Sequence, residues 1–230
     1  MALAVLVELP SMSTRKGDEL IPTDAELATE KLNDMAIKGT IHEFGRAPGL
    51  PHISPRPEVD LGNSLMGPVN RDYWSRSGSD DVRVYLTQAS AFALWKHPIF
   101  RKQRTPNPSY PKEVKFENLQ FKEADDGKNI LVTGSLKSSD PAHSVIAYDS
   151  ERGQFGDYWA RTYVAPIDEK TGAFAVTVTS PHKSGSLFLS FNLESEINTS
   201  DGQKPFQRGS SISARYAVPS GERKFERTSE

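Results

Sequence analysis

The stretch Asp157-Tyr158-Trp159-Ala160-Arg161-Thr162-Tyr163 holds the residues best suited to chemistry in this 230-residue chain. If it is extended, Trp159, Arg161 and Tyr163 turn to one side, with Tyr158 and Thr162 on the other, because side chains of a strand alternate. An arginine between two aromatics on one face is hard to bury whole. Open to solvent, the rings offer flat surfaces for a sugar or another planar group, and a guanidinium pairs with a carboxylate. The competing reading makes Trp159 the core tryptophan of a sandwich, with Arg161 reaching the rim along its aliphatic stem. Large aromatics are mostly structural, which favours the core, whereas the arginine between them argues for partial exposure. Trp159, Arg161 and Tyr163 are the candidate ligand-binding residues.

Other patterns carry less. The histidines are His42, His52, His97, His143 and His182, and no two of them stand at the helical spacing of a local zinc motif, so no metal site is expected. Gly62-Asn63-Ser64-Leu65-Met66-Gly67 approximates a nucleophile elbow, but its second glycine is one residue late and Pro68 follows. A hydrolase would have to assemble Ser64, His52 and an acid such as Asp60 or Asp72 from distant positions. Phosphate-binding glycine loops and dinucleotide fingerprints are missing, so no cofactor is expected. Without cysteine there is neither a thiolate nucleophile nor a disulfide. Asn198-Thr199-Ser200 fits the N-glycosylation pattern.

Charge excludes more than it suggests. Thirty acidic against 28 basic residues give a net charge of −2, with no global attraction to nucleic acid or an anionic membrane. No window reaches the roughly 20 apolar residues of a membrane span. The apolar opening Met1–Val7 is too short and lacks the basic flank of a signal peptide. The chain therefore reads as cytoplasmic unless it belongs to a longer exported polypeptide.

The elements that must position Trp159 are short strands. Apolar runs at Asn129–Leu136, His143–Asp149, Asp157–Ala165, Ala173–Thr179, Gly185–Leu193 and Ser211–Val218 recur between turn signals, and Val114, Phe116 and Phe121 suggest a seventh. Phe174, Val176 and Val178 alternate with Ala173, Ala175, Thr177 and Thr179, the period of a half-buried strand. Asp168–Gly172 reads as a hairpin loop between the strands beside it, and Asp125–Lys128 as another hairpin turn. Upstream, Thr23 and Glu26 form a capping box for a helix over 24–38, and a second helix fits 81–96, with a strand competing for its first half. Proline clusters at 48–57 and 105–111 are extended connectors. The fold class is mainly β: an irregular, partly helical region with two short helices (1–105), an antiparallel β-sandwich of about seven strands (112–219) and a flexible tail (220–230).

Val132-Thr133-Gly134-Ser135-Leu136, His143–Asp149, Thr171-Gly172-Ala173-Phe174-Ala175-Val176 and Gly185-Ser186-Leu187 together resemble the transthyretin- or immunoglobulin-like sandwich modules appended to bacterial exported proteins and hydrolases. The resemblance covers about 90 residues and implies a supporting role, with no catalytic residue to carry over. The expected function is a non-catalytic accessory or binding module for a protein or carbohydrate ligand. The alternative is the hydrolase assembled from the N-terminal half.

Overall fold

The computed structural model describes residues 40–45, 50, 52–54, 56, 63–67, 84–95, 113–154, 157, 159–194, 198–199, 212–218 and 223–229. The helix expected over 24–38 and the proline cluster at 105–111 lie outside these residues.

In chain order the described elements are helix α1 (40–45), strands β1 (Asn63–Ser64) and β2 (Val84–Tyr85), and helix α2 (Gln88–Trp95). Then come β3 (Val114–Glu123), β4 (Ile130–Ser138), β5 (Ala142–Ser150), β6 (Arg161–Pro166), β7 (Ala173–Val178) and β8 (Ser184–Leu193). The last are β9 (Asn198–Thr199), β10 (Ile212–Ala217) and β11 (Lys224–Ser229). The fold is mainly β, as the patterning predicts. A large antiparallel sheet runs β11-β10-β8-β5-β6, with β9 also on β8, and a small one runs β3-β4-β7.

Alternation in β7 fixes how the sheets meet. Phe174, Val176 and Val178 are buried and Ala173, Ala175 and Thr177 exposed, so the apolar row of the small sheet turns inward. It packs with Ile130 and Val132 of β4 against Val145 and Ala147 of β5 and Leu187, Leu189 and Phe191 of β8. Phe174 meets Phe191 edge-on at 5.7 Å. This is the sandwich core.

The large sheet is buried on its other face as well. Ile146, Tyr148 and Phe188 lie under Leu50, Ile53, Met66 and Ala89, with Leu94 of α2 and Val164 of β6 packed alongside. β5 and β8 are consequently buried on both faces, and not half-exposed as alternation of Leu187, Leu189, Phe191 and Leu193 alone would suggest. At the start of α2, Thr87 is the cap: its hydroxyl accepts from the Ser90 amide at 3.2 Å, so the helix begins at Gln88 and the alternating Val84–Tyr85 is strand.

Two expectations are corrected. β6 and β7 do not form a hairpin within one sheet, because β6 joins the large sheet and β7 the small one. The intervening loop is a crossover. Asp168 Oδ1 accepts from the amides of Lys170 (3.1 Å) and Thr171 (2.8 Å), and Gly172 turns at φ 70°. The tail is not free either. Lys224–Ser229 pairs with β10 from Ala217↔Lys224 to Ile212↔Ser229, because Phe225 finds apolar cover against Tyr216, 6.3 Å away between ring centroids.

Candidate functional site

Ser150, the last residue of β5, reaches two positions of the segment that leads to β6. Ser150 Oγ accepts from the Gln154 amide at 3.2 Å and donates to Asp157 Oδ2 at 3.2 Å. Asp157, itself buried, accepts the Trp159 amide on its other oxygen at 3.0 Å. The carboxylate thus replaces backbone partners in a tight turn, and the turn holds Trp159 outward. Trp159 is 40% exposed although its backbone amide is pinned. Beside it, the Arg152 guanidinium carbon lies 5.9 Å from the ring centroid, within cation–π range. Its Nη1 stands 4.0 Å from Asp157 Oδ1.

The three residues expected on one face are not presented together. Strand geometry begins at Arg161, so alternation does not extend back to Trp159, which sits in the turn. Tyr163 is 1% exposed and belongs to the sandwich core. Its hydroxyl donates to the Thr179 carbonyl at 2.7 Å, and the Arg56 guanidinium carbon covers its ring at 5.0 Å. No ligand can stack on it. Arg161 is half-buried and donates from Nη1 to the Ser180 carbonyl at 3.0 Å, while Ser54 bridges its backbone. The residue that flanks Trp159 is Arg152, which lies in a polar turn, Glu151-Arg152-Gly153-Gln154, that carries no strand signal. An arginine six to eight residues before an aromatic, across a loop whose ends meet, is the signal that would have found it.

Behind this turn the end of the sandwich is closed by a polar plug. Asp149, fully buried, accepts from Tyr216 Oη at 2.5 Å and from the His182 amide at 3.4 Å, and pairs in register with Arg161. Burial drives the Asp149 carboxyl above its ordinary range, against the pull of the Tyr216 hydroxyl and of His182 and Arg161. Tyr216 is pushed up in turn by burial and by the Asp149 charge. Gly185 is required there: a Cβ would stand 2.7 Å from the Ser150 carbonyl oxygen and 3.1 Å from Tyr216 Oη.

Of the residues of the hydrolase alternative, the described Ser64 and His52 share no hydrogen bond. Ser64 is 2% exposed, and its hydroxyl accepts from the Met66 amide at 3.2 Å, with no histidine bonded to it among the described residues. His52 stacks on His42 at 5.4 Å, and His42 Nδ1 meets the Leu65 carbonyl at 2.6 Å. Asp60 and Asp72 lie outside the described residues. Among the described residues no three His, Asp or Glu side chains converge as metal ligands, and no helix is long and apolar enough to cross a membrane. A shallow depression lined by Pro166, Ile167, Asp168, Lys170, Ala173 and Phe174 shares no residue with the Trp159 turn.

No protein-family model and no curated protein matches the chain. The fold is similar to solved structures of OgpA from Akkermansia muciniphila. Catalytically inactive OgpA in complex with an O-glycopeptide (glycodrosocin) substrate aligns with a TM-score of 0.65 at 20% identity, over 86% of this chain and 52% of that one. Wild-type OgpA in one crystal form gives 0.62 at 22% identity, over 76% of this chain and 50% of that one. A second crystal form gives 0.58 at 21%, over 83% and 50%. The chain spans about half the length of these structures.

Proposed function

We propose that the chain acts as a non-catalytic sandwich module that binds the sugar of a glycosylated polypeptide at Trp159, in support of a catalytic unit elsewhere. The observation that carries this reading is the indole itself. Tryptophan is normally spent on burial, yet here a buried carboxylate and a buried serine hold it open to solvent on a tied loop. An open aromatic stacks on the apolar face of a pyranose, and its pinned backbone has less order to gain on binding. The O-glycopeptide bound by OgpA, whose fold this chain resembles, supports that ligand class. The immunoglobulin-like character expected from sequence belongs to the same reading, whose role rests on the site because a fold alone carries no function.

Titrating the full chain with an O-glycopeptide and with the same peptide lacking its sugar, followed by calorimetry, tests it. The glycosylated form alone should bind, and Trp159→Ala should abolish the binding. Equal binding of both peptides would remove the sugar from the account.

A second reading, hydrolysis, draws on the substrate complex of OgpA. Ser64 and His52 share no hydrogen bond, and the acids Asp60 and Asp72 that would complete such a site lie outside the described residues. Mass spectrometry of the glycopeptide after incubation would detect cleavage, and turnover that survives Trp159→Ala would favour this second reading.

A further inference from the structure

Two of the three acids near Trp159 are buried: Asp149 fully, and Asp157 with its side chain 4% exposed, one oxygen on Ser150 Oγ and the other on the Trp159 amide, whereas the Glu151 side chain is 71% exposed. The nearest guanidinium turns outward: the Arg152 side chain is 64% exposed. Glu151, the remaining exposed acid of the loop, stands 3.8 Å from His182 Nδ1, on the β7–β8 connection. Asp157 is already occupied, and 4.0 Å is too long for a hydrogen bond to Arg152. Arg152 is therefore held at the ring by charge and by the π-face, with most of its side chain open to solvent. Arg161 stands at the base of the same turn and Arg56 over Tyr163, so the positive charge at this end of the sheet is not confined to one side chain.

We infer that the Trp159 site selects an acidic sugar, one bearing a carboxylate or a sulfate ester, and that Arg152 is the residue that selects it. This rests on the glycan-binding reading of Trp159. The sugar ring would stack on the part of the indole left open, and the ligand anion would pair with the exposed guanidinium of Arg152. An anion suits that position because a planar guanidinium offers it two parallel N–H bonds, while Asp157 stays shielded beneath by its own hydrogen bonds. A neutral sugar gains only the stacking.

The test compares three forms of one threonine-linked glycopeptide on the full chain: neutral, capped with sialic acid, and carrying a sulfate ester. At low salt at least one acidic form should bind about tenfold more tightly than the neutral form, the scale of one charge-assisted pair. Which form gains identifies carboxylate or sulfate as the group. The advantage should shrink in about 0.5 M salt, where the screening length is only a few ångströms. It should vanish in Arg152→Gln and persist in part in Arg152→Lys, with unchanged melting curves showing that both variants fold. If the neutral form binds as tightly as both acidic forms and still needs Trp159, the acidic preference is overturned and the glycan-binding module stands. An advantage that survives Arg152→Gln would take the selecting role away from Arg152. If no form binds, the module reading itself falls.

Discussion

At the scale of single residues, the end of the sandwich is decided by two buried acids with opposite tasks. Asp157 organises a turn with its hydrogen bonds to Ser150 and the Trp159 amide. Asp157→Ala would leave these groups unpaired in a protected place, and should cost about 1–3 kcal/mol in urea denaturation. An unchanged midpoint would mean that water replaces the carboxylate freely. Asp149 plugs the core and is harder to ionise in the folded chain than at its ordinary value of 3.8. The folded state therefore holds this proton more tightly than the unfolded state. Its stabilising contribution is complete below pH 3.8 and is lost as pH rises through the raised value. Asp149→Asn keeps an acceptor for Tyr216 and has nothing to ionise. Stability measured against that variant should fall for the wild type as pH climbs from about 4 towards neutral. A wild type that gains on the variant over that range would show that Tyr216, His182 and Arg161 overcome the cost of burial.

At the scale of elements, local chemistry was legible where a turn or a period dictated it. The β3–β4 turn follows from Asp126, which accepts from the amides of Asn129 and Lys128, bonds that also hold its carboxyl below the ordinary range. The β7 register follows from Phe174, Val176 and Val178, and Phe174→Ala should lower stability by about 3–5 kcal/mol, read as a large drop in melting temperature. Gly172 is equally constrained. At φ 70° a Cβ would stand 2.1 Å from the Leu136 carbonyl oxygen, so Gly172→Ala should displace the crossover and show new amide shifts along β4 and β7. A spectrum unchanged outside the substituted residue would contradict this close approach. What the sequence could not reveal is which face of a strand meets which layer. Tyr163 and Trp159 share a parity, yet one is core and the other surface, because the strand starts between them at Arg161. The double burial of β5 was hidden for the same reason: Ile146 and Tyr148 are covered by residues some eighty to a hundred positions upstream, such as Ile53 and Met66. Arg152 was invisible as a site residue because a charged turn reads as solvent.

At the scale of the molecule, the N-terminal pieces are a layer of the fold, since Leu50, Ile53, Met66, Ala89 and Leu94 cover the outer face of the large sheet. Cutting the chain to residues 112–230 should bare Ile146, Tyr148 and Phe188 and yield a protein that aggregates or binds a hydrophobic dye. A soluble, dye-silent fragment would show that this layer is dispensable. The layered scaffold leaves Trp159, just ahead of β6, open to solvent with its amide held by Asp157. An indole held open in this way should have a ligand. The most direct measurement is the fluorescence of a variant that keeps Trp159 and replaces Trp74 and Trp95 with phenylalanine, titrated with the O-glycopeptide and with the bare peptide. The account predicts that the free indole is quenched by acrylamide and that the glycopeptide alone shifts its emission and shields it. Trp159→Ala should lose the binding while keeping stability within about 1 kcal/mol. An indole that ignores both peptides, or a strongly destabilised Trp159→Ala, would contradict it.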